Sequence, residues 1–126
     1  MPSSIDVRVP PRFCDAQAMV HASRYHELLE DAFLHWLEDR GLPYDELRSS
    51  GVDLVIGTST IRYRRPARLG DVLRVTADAT GATSSTVTVG FTVATAEAGG
   101  AAVAEAEVTY IAVADRSSTT LPAALR

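Results

Sequence analysis

One segment of this 126-residue chain carries its apolar residues at helical spacing, and after it they recur at every second position. Tyr25, Leu28, Leu29, Ala32, Phe33, Trp36 and Leu37 fall three and four apart, which makes a single stripe along a helix. The segments that follow alternate. Val52, Leu54 and Ile56 lie on one side of Val52 to Arg65, and Leu73, Val75 and Ala77 on one side of Asp71 to Thr80. Val87, Val89, Phe91 and Val93 share a side of Ser85 to Ala96, and Ala104, Ala106, Val108 and Tyr110 share a side of Ala101 to Ala114. A short alternating run, Ile5 to Val9, precedes them all and stops at Pro10-Pro11. The order is strand, helix, then four strands. Short connections make neighbours antiparallel. A single helix and a single sheet must bury their apolar faces against each other. The sequence therefore predicts an α+β domain, an antiparallel sheet of about five strands wrapped around one long helix, as a single domain over residues 1–126.

The punctuation agrees. Ser23 is an N-cap candidate, Gly41 suits the left-handed position after the last helical turn, and Pro43 prevents continuation. Gly81, Gly99-Gly100 and the turn Pro66-Ala67-Arg68-Leu69-Gly70-Asp71 separate the strands. Each large side chain of the helical stripe contributes about 1.5–3 kcal/mol on burial. The last stretch, Asp115 to Arg126, is polar and reads as a loosely held tail.

Composition excludes several classes. No apolar run approaches the ~20 residues that cross a bilayer. The N-terminal stretch has no apolar segment of secretory type, so a cytoplasmic protein with no membrane partner is expected. Net charge is −4 and the chain contains no Lys, its cations all being Arg. A mildly acidic chain is a poor partner for nucleic acid. The lone Cys14 cannot form an internal disulfide and reads as a small buried hydrophobe.

Few residues carry candidate chemistry. Asp15 is a lone acid one short loop ahead of the helix, either a turn former or a catalytic carboxylate. His21 follows six residues later, placed to orient Asp15, to contact substrate, or simply to sit on the surface. His26 and His35 lie on or beside the helix without metal-ligand spacing, and no metal is expected. Glu27, Glu30 and Asp31 fall off the apolar stripe, where acids are usually solvated, although a helix carboxylate is the alternative base. Arg62, Arg64, Arg65 and Arg68 cluster around Pro66; they either protect an edge strand or bind phosphate.

Two stretches carry a resemblance. Asp15-Ala16-Gln17-Ala18-Met19-Val20, with Ser23-Arg24-Tyr25 opening the helix, is similar to the Asp-x-x-Gly-x-Val, polar residue, Tyr pattern of the hotdog-fold acyl thioesterases of the 4-hydroxybenzoyl-CoA thioesterase type. Tyr63-Arg64-Arg65-Pro66-Ala67-Arg68-Leu69-Gly70-Asp71 resembles that family's Tyr-x-x-Pro-x-x-x-Gly-Asp turn. The likeness covers roughly residues 5 to 114. This chain has Ala18 for the family Gly, Phe13 where a further Asp is common, and Arg24 for the usual Asn. Ala82 to Ser85 carries no positive charge where enzymes acting on CoA are often basic.

The resemblance implies the hotdog fold and hydrolysis of an acyl-CoA or acyl-carrier-protein thioester without cofactor. It implies Asp15 as nucleophile or general base and the Ala22 backbone amide as oxyanion donor. His21, Tyr25, Arg64 and Arg65 would be substrate-binding. It further implies a homodimer or homotetramer with the site between subunits. Two alternatives stay open: a hotdog dehydratase, hydratase or cyclase acting on polyketide or fatty-acid intermediates, and a non-catalytic domain that binds an acyl ligand. The hydratase Asp-x-x-x-x-His spacing is absent here, since His21 lies one residue further on.

Overall fold

The computed structural model describes residues 2–126. Strand β1 (Ser3–Arg8) is followed by helix α1 (Tyr25–Asp39), a short helix α2 (Tyr44–Ser49), and strands β2 (Asp53–Tyr63), β3 (Val72–Ala82), β4 (Thr86–Thr95), β5 (Ala102–Ala114) and β6 (Ser117–Ser118). The sheet order is β1-β3-β4-β5-β2, antiparallel throughout, and β6 adds to β5. The sheet curls around α1, as the periodicities require.

All seven residues of the predicted stripe are buried. They meet Leu73, Val75 and Ala77 of β3, and Val87, Val89, Phe91 and Val93 of β4, which are buried on the sheet's inner face. The helix lies over β1 and β3. Toward β5, the Phe33 ring stacks on Tyr110 with centroids 3.8 Å apart. The α1 C-terminus closes as a Schellman motif: Gly41 has φ +72°, its N–H donates to Glu38 O, and Leu42 N–H donates to Leu37 O.

Several expectations change in physical detail. Ser23 is not the N-cap of the long helix. A 3-10 turn, Ala22–Arg24, precedes α1, and its N-cap is His21. Helix α2 was not expected; it opens after Pro43 with Asp45 and Glu46 in its first turn and anchors through the fully buried Leu47. Ile56 does not join Leu54 in the core and remains 54% exposed, because β2 is the outermost strand and α1 lies at the other side of the sheet. Segment 115–126, expected as a loose tail, packs instead. Asp115 and Arg116 both take positive φ and turn the chain back into β6, and Leu121 and Leu125 are buried.

Candidate functional site

The site is built where the two motifs meet, although about 45 residues separate them in sequence. The loop from Cys14 to Val20 folds on itself: Cys14 bridges Val20, and Asp15 N–H donates to Met19 O at 2.9 Å. It is then stitched to the Pro66 turn. Val20 N–H donates to Ala67 O at 2.8 Å, Leu69 N–H donates to Ala18 O at 2.9 Å, and Met19 bridges Arg68. Gly70 takes φ +86° at the far end of that turn, and the Asp71 carboxylate accepts the Arg68 N–H at 2.9 Å. His21 N–H reaches back to Phe13 O at 2.9 Å. The backbone thus fixes the approach to α1 at both ends.

Asp15 sits at the head of this loop. Its Oδ1 accepts from Gln17 N–H at 2.8 Å and Met19 N–H at 3.3 Å. Among the described residues Oδ2 has no partner, and the side chain is exposed. Ala18 completes the turn at φ +59°, a left-handed position that the family's Gly occupies without strain and that Ala occupies at a cost.

Beside the loop lies a cavity of about 270 Å³, lined by Val20, Ala22, Tyr25, Tyr63, Arg64, Arg65 and Pro66. The sequence-predicted residues Ala22, Tyr25, Arg64 and Arg65 therefore come together. Asp15 and His21 do not line it: His21 stands between the lining residues Val20 and Ala22, and Asp15 lies five residues before Val20. The Ala22 N–H has no acceptor among the described residues. His21 instead turns to Ser23: its Nδ1 accepts the Ser23 N–H at 3.2 Å and lies 2.8 Å from Ser23 Oγ.

The cavity walls are aromatic and cationic. Tyr25 is buried and meets Tyr63 edge-on with ring centroids 5.2 Å apart. Burial raises the Tyr25 hydroxyl above its ordinary pKa, opposed by a hydrogen bond to the Ala67 backbone. The Tyr63 hydroxyl makes a long 3.4 Å contact with Ala22 O. The two arginines differ. Arg64 donates through Nε and Nη2 to Glu105 Oε1 at 2.9 and 2.7 Å, whereas the Arg65 guanidinium has no partner among the described residues.

Sequence reasoning missed Tyr63, Pro66 and Val20 as wall residues, although all three stand within the quoted motifs. It also missed Glu105. The signal for that pair was non-local: Glu105 lies opposite Arg62 in the β2–β5 register.

The other candidates fall elsewhere. Glu27, Glu30 and Asp31 line a separate hollow of about 350 Å³ with Arg12, Phe13 and His26. There Glu27 is paired with Arg24 at 2.7 Å. Glu30 and, above all, burial raise the Tyr110 hydroxyl's pKa. His35 lies 3.5 Å from Asp39. Cys14 is half-buried against the core. Among the described residues, no group of three or more His, Cys, Asp or Glu side chains is placed to hold a metal, and no helix is long and apolar enough to cross a membrane.

The sequence signature of the thioesterase-like superfamily matches residues 9–126. The chain belongs to that superfamily. Its architecture is the hotdog fold, shared with solved structures of other thioesterase-like proteins. A hypothetical protein from Aquifex aeolicus superposes with a TM-score of 0.91 at 26% identity, covering 98% of this chain and 99% of that one. A 1,4-dihydroxy-2-naphthoyl-CoA thioesterase from Synechocystis superposes with a TM-score of 0.89 at 21% identity, covering 98% and 92%. A curated protein of Aquifex aeolicus (strain VF5), named "Putative esterase", is 34% identical over 61 residues; this match spans 48% of each chain, about half the relative's length. The superfamily is thus established; the 4-hydroxybenzoyl-CoA type is a finer assignment than the match carries.

Proposed function

We propose that this thioesterase-like protein hydrolyses an acyl thioester carried on coenzyme A or on the phosphopantetheine arm of a carrier protein, at the cavity beside Ala22. The observation that carries the reading is Ala22, which lines the cavity and whose N–H has no acceptor among the described residues, close in sequence to the loop that holds Asp15. A thioester is an activated acyl group whose leaving thiol has a pKa near 8.5, roughly that of free Cys, so it departs largely as thiolate. The protein must then supply a nucleophile and a donor for the developing oxyanion.

The Ala22 N–H serves as that donor. Asp15 has an unengaged Oδ2 for the first task. As a general base it takes a proton from water, and the water oxygen adds to the thioester carbon. As a nucleophile it adds directly, and water then cleaves the resulting anhydride. Either way the carbon–sulfur bond breaks, the thiolate leaves and takes up a proton, and the acid is released. Single turnover in ¹⁸O-water that labels the Asp15 side chain marks the nucleophilic route, with water adding to the Asp15 carbonyl carbon of the anhydride.

Asp15 stands outside the cavity of a single chain, so the site in this reading is completed by a second copy. The outer strand β2 leaves a backbone edge unpaired and exposes Val55, Ile56 and Tyr63, with Leu69 nearby in the Pro66 turn. Burying that surface in a homodimer, or in a tetramer built from dimers, brings the partner's face against the Asp15 loop. The relative from Synechocystis is a CoA thioesterase, which favours CoA as the carrier. The unpaired Arg65 on the cavity rim suits a phosphate of either carrier.

A thiol-release assay across CoA-linked and carrier-linked acyl groups tests the proposal. Hydrolysis of at least one class supports it. A purified dimer that releases no thiol from the whole panel overturns it. Tight acyl-ligand binding in that case marks the non-catalytic alternative, and turnover of enoyl thioesters alone marks the hydratase.

A further inference from the structure

The Ala22 amide is open while the next two are closed, and one residue, His21, closes both. The first N–H groups of a helical turn lack partners within it. Here the Arg24 N–H donates to the His21 carbonyl at 2.9 Å, and the Ser23 N–H donates to His21 Nδ1 at 3.2 Å. The same nitrogen lies 2.8 Å from Ser23 Oγ, so the ring reaches both polar groups of Ser23. His21 backbone and side chain together account for the second and third amides of the turn. The first, Ala22, has no acceptor among the described residues.

We infer that His21 is a positioning residue: its imidazole caps the 3-10 turn through Nδ1 and thereby holds the Ala22 amide at the cavity. To accept an N–H, Nδ1 must be unprotonated, so the neutral ring carries its proton on Nε2. Histidine is an uncommon N-cap, the usual ones being Asn, Asp, Ser and Thr. Its longer reach spans the turn, and its backbone N–H, bound to Phe13 O, anchors the cap to the Asp15 loop. The ring is exposed and does not line the cavity, which separates this role from substrate contact.

The inference rests on the reading of Ala22 as oxyanion donor, and its test separates the two. Thioester turnover and amide hydrogen exchange are measured for the wild-type protein and for His21→Ala, His21→Asn and His21→Ser. The Ala variant should lose about tenfold in kcat, the kinetic equivalent of a typical N-cap, with KM changed less than about twofold. Asn and Ser restore the cap with short side chains, and both should return kcat to within about threefold of wild type. Exchange at Ser23 to Tyr25 should quicken in the Ala variant and recover in the other two.

If all three variants lose kcat equally, the ring itself acts and the positioning role is overturned. If the Ala variant keeps wild-type kcat and exchange, it is overturned as well. A wild-type protein that turns over no thioester defeats the proposed function, yet exchange still judges the cap: unchanged protection in the Ala variant refutes it.

Discussion

Replacing Ala18 by Gly should stabilise the protein, although the substitution removes a methyl group and adds chain freedom. Ala18 holds φ +59°. The left-handed conformation costs an L-residue about 1–2 kcal/mol through the clash of Cβ with the following carbonyl. Glycine removes that clash and loses about 0.4–1 kcal/mol through the greater freedom of the unfolded chain. The difference favours glycine by about 0.5–1 kcal/mol. Both hydrogen bonds that Ala18 makes are backbone bonds, to Asp15 O and from Leu69 N–H, so the variant retains them.

Urea denaturation at fixed protein concentration measures the effect. The midpoint should rise by about 0.3–0.6 M with the slope unchanged, and Tm by roughly 2–5 °C. Two neighbouring substitutions calibrate the result. Ala16 is exposed in the same loop but does not take positive φ. Ala16→Gly should therefore be neutral or destabilising, by up to about 1 kcal/mol. Ala18→Val places a β-branched side chain in the left-handed region and should lower stability by more than 1 kcal/mol, roughly. If Ala18→Gly leaves the midpoint unchanged or lowers it as Ala16→Gly does, strain at this turn is refuted.

Asp15→Asn keeps an oxygen at the Oδ1 position for the Gln17 and Met19 amides, so stability should stay within about 0.5 kcal/mol while thioester turnover falls at least about 100-fold; equal turnover removes Asp15 from the chemistry. Arg65→Ala should raise KM for CoA thioesters about tenfold and Arg64→Ala about twofold, because Glu105 already holds Arg64; steady-state kinetics that reverse the order contradict the assignment. Ile56→Asp puts a charge on the exposed edge strand and should yield a folded monomer without turnover; size-exclusion chromatography and the thiol-release assay check both halves.

How far the sequence reached follows from which forces are local. The α1 stripe and the inner faces of β3 and β4 were legible because burial of a whole periodic face leaves a mark at every third, fourth or second residue. Ile56 belongs to an equally regular alternation, but its exposure depends on where α1 lies across the sheet, which no local pattern records. Helix α2 spans six residues and buries one, too little for a period to emerge. Ser23 is not the cap because the chain enters α1 through a 3-10 turn, and the cap of that turn, two residues earlier, is an imidazole where a hydroxyl or carboxylate is usual. At the cavity, Ala22, Tyr25, Arg64 and Arg65 were reached through the two motifs. The split between a paired Arg64 and an unpaired Arg65 depends on β5, about 40 residues away in sequence.

The same distinction bears on why the Asp15 loop has so little freedom. Its residues offer weak local propensity: Ala16, Gln17 and Ala18 would suit a helix as well as a turn. Its shape comes from bonds made to other segments, at Ala67, at Leu69 and at Phe13, and from two amides that converge on Asp15 Oδ1. Ordering a residue costs about 1–2 kcal/mol of backbone entropy. Bonds that each contribute about 1 kcal/mol net offset this only when several close together. Loosening one therefore weakens the others. A carboxylate held this way is fixed in orientation before substrate arrives, which is the condition for a positioned base or nucleophile. The left-handed Ala18 is compatible with this account: the surrounding bonds outweigh the strain of one residue, and they do so at the segment that the proposed chemistry needs held still.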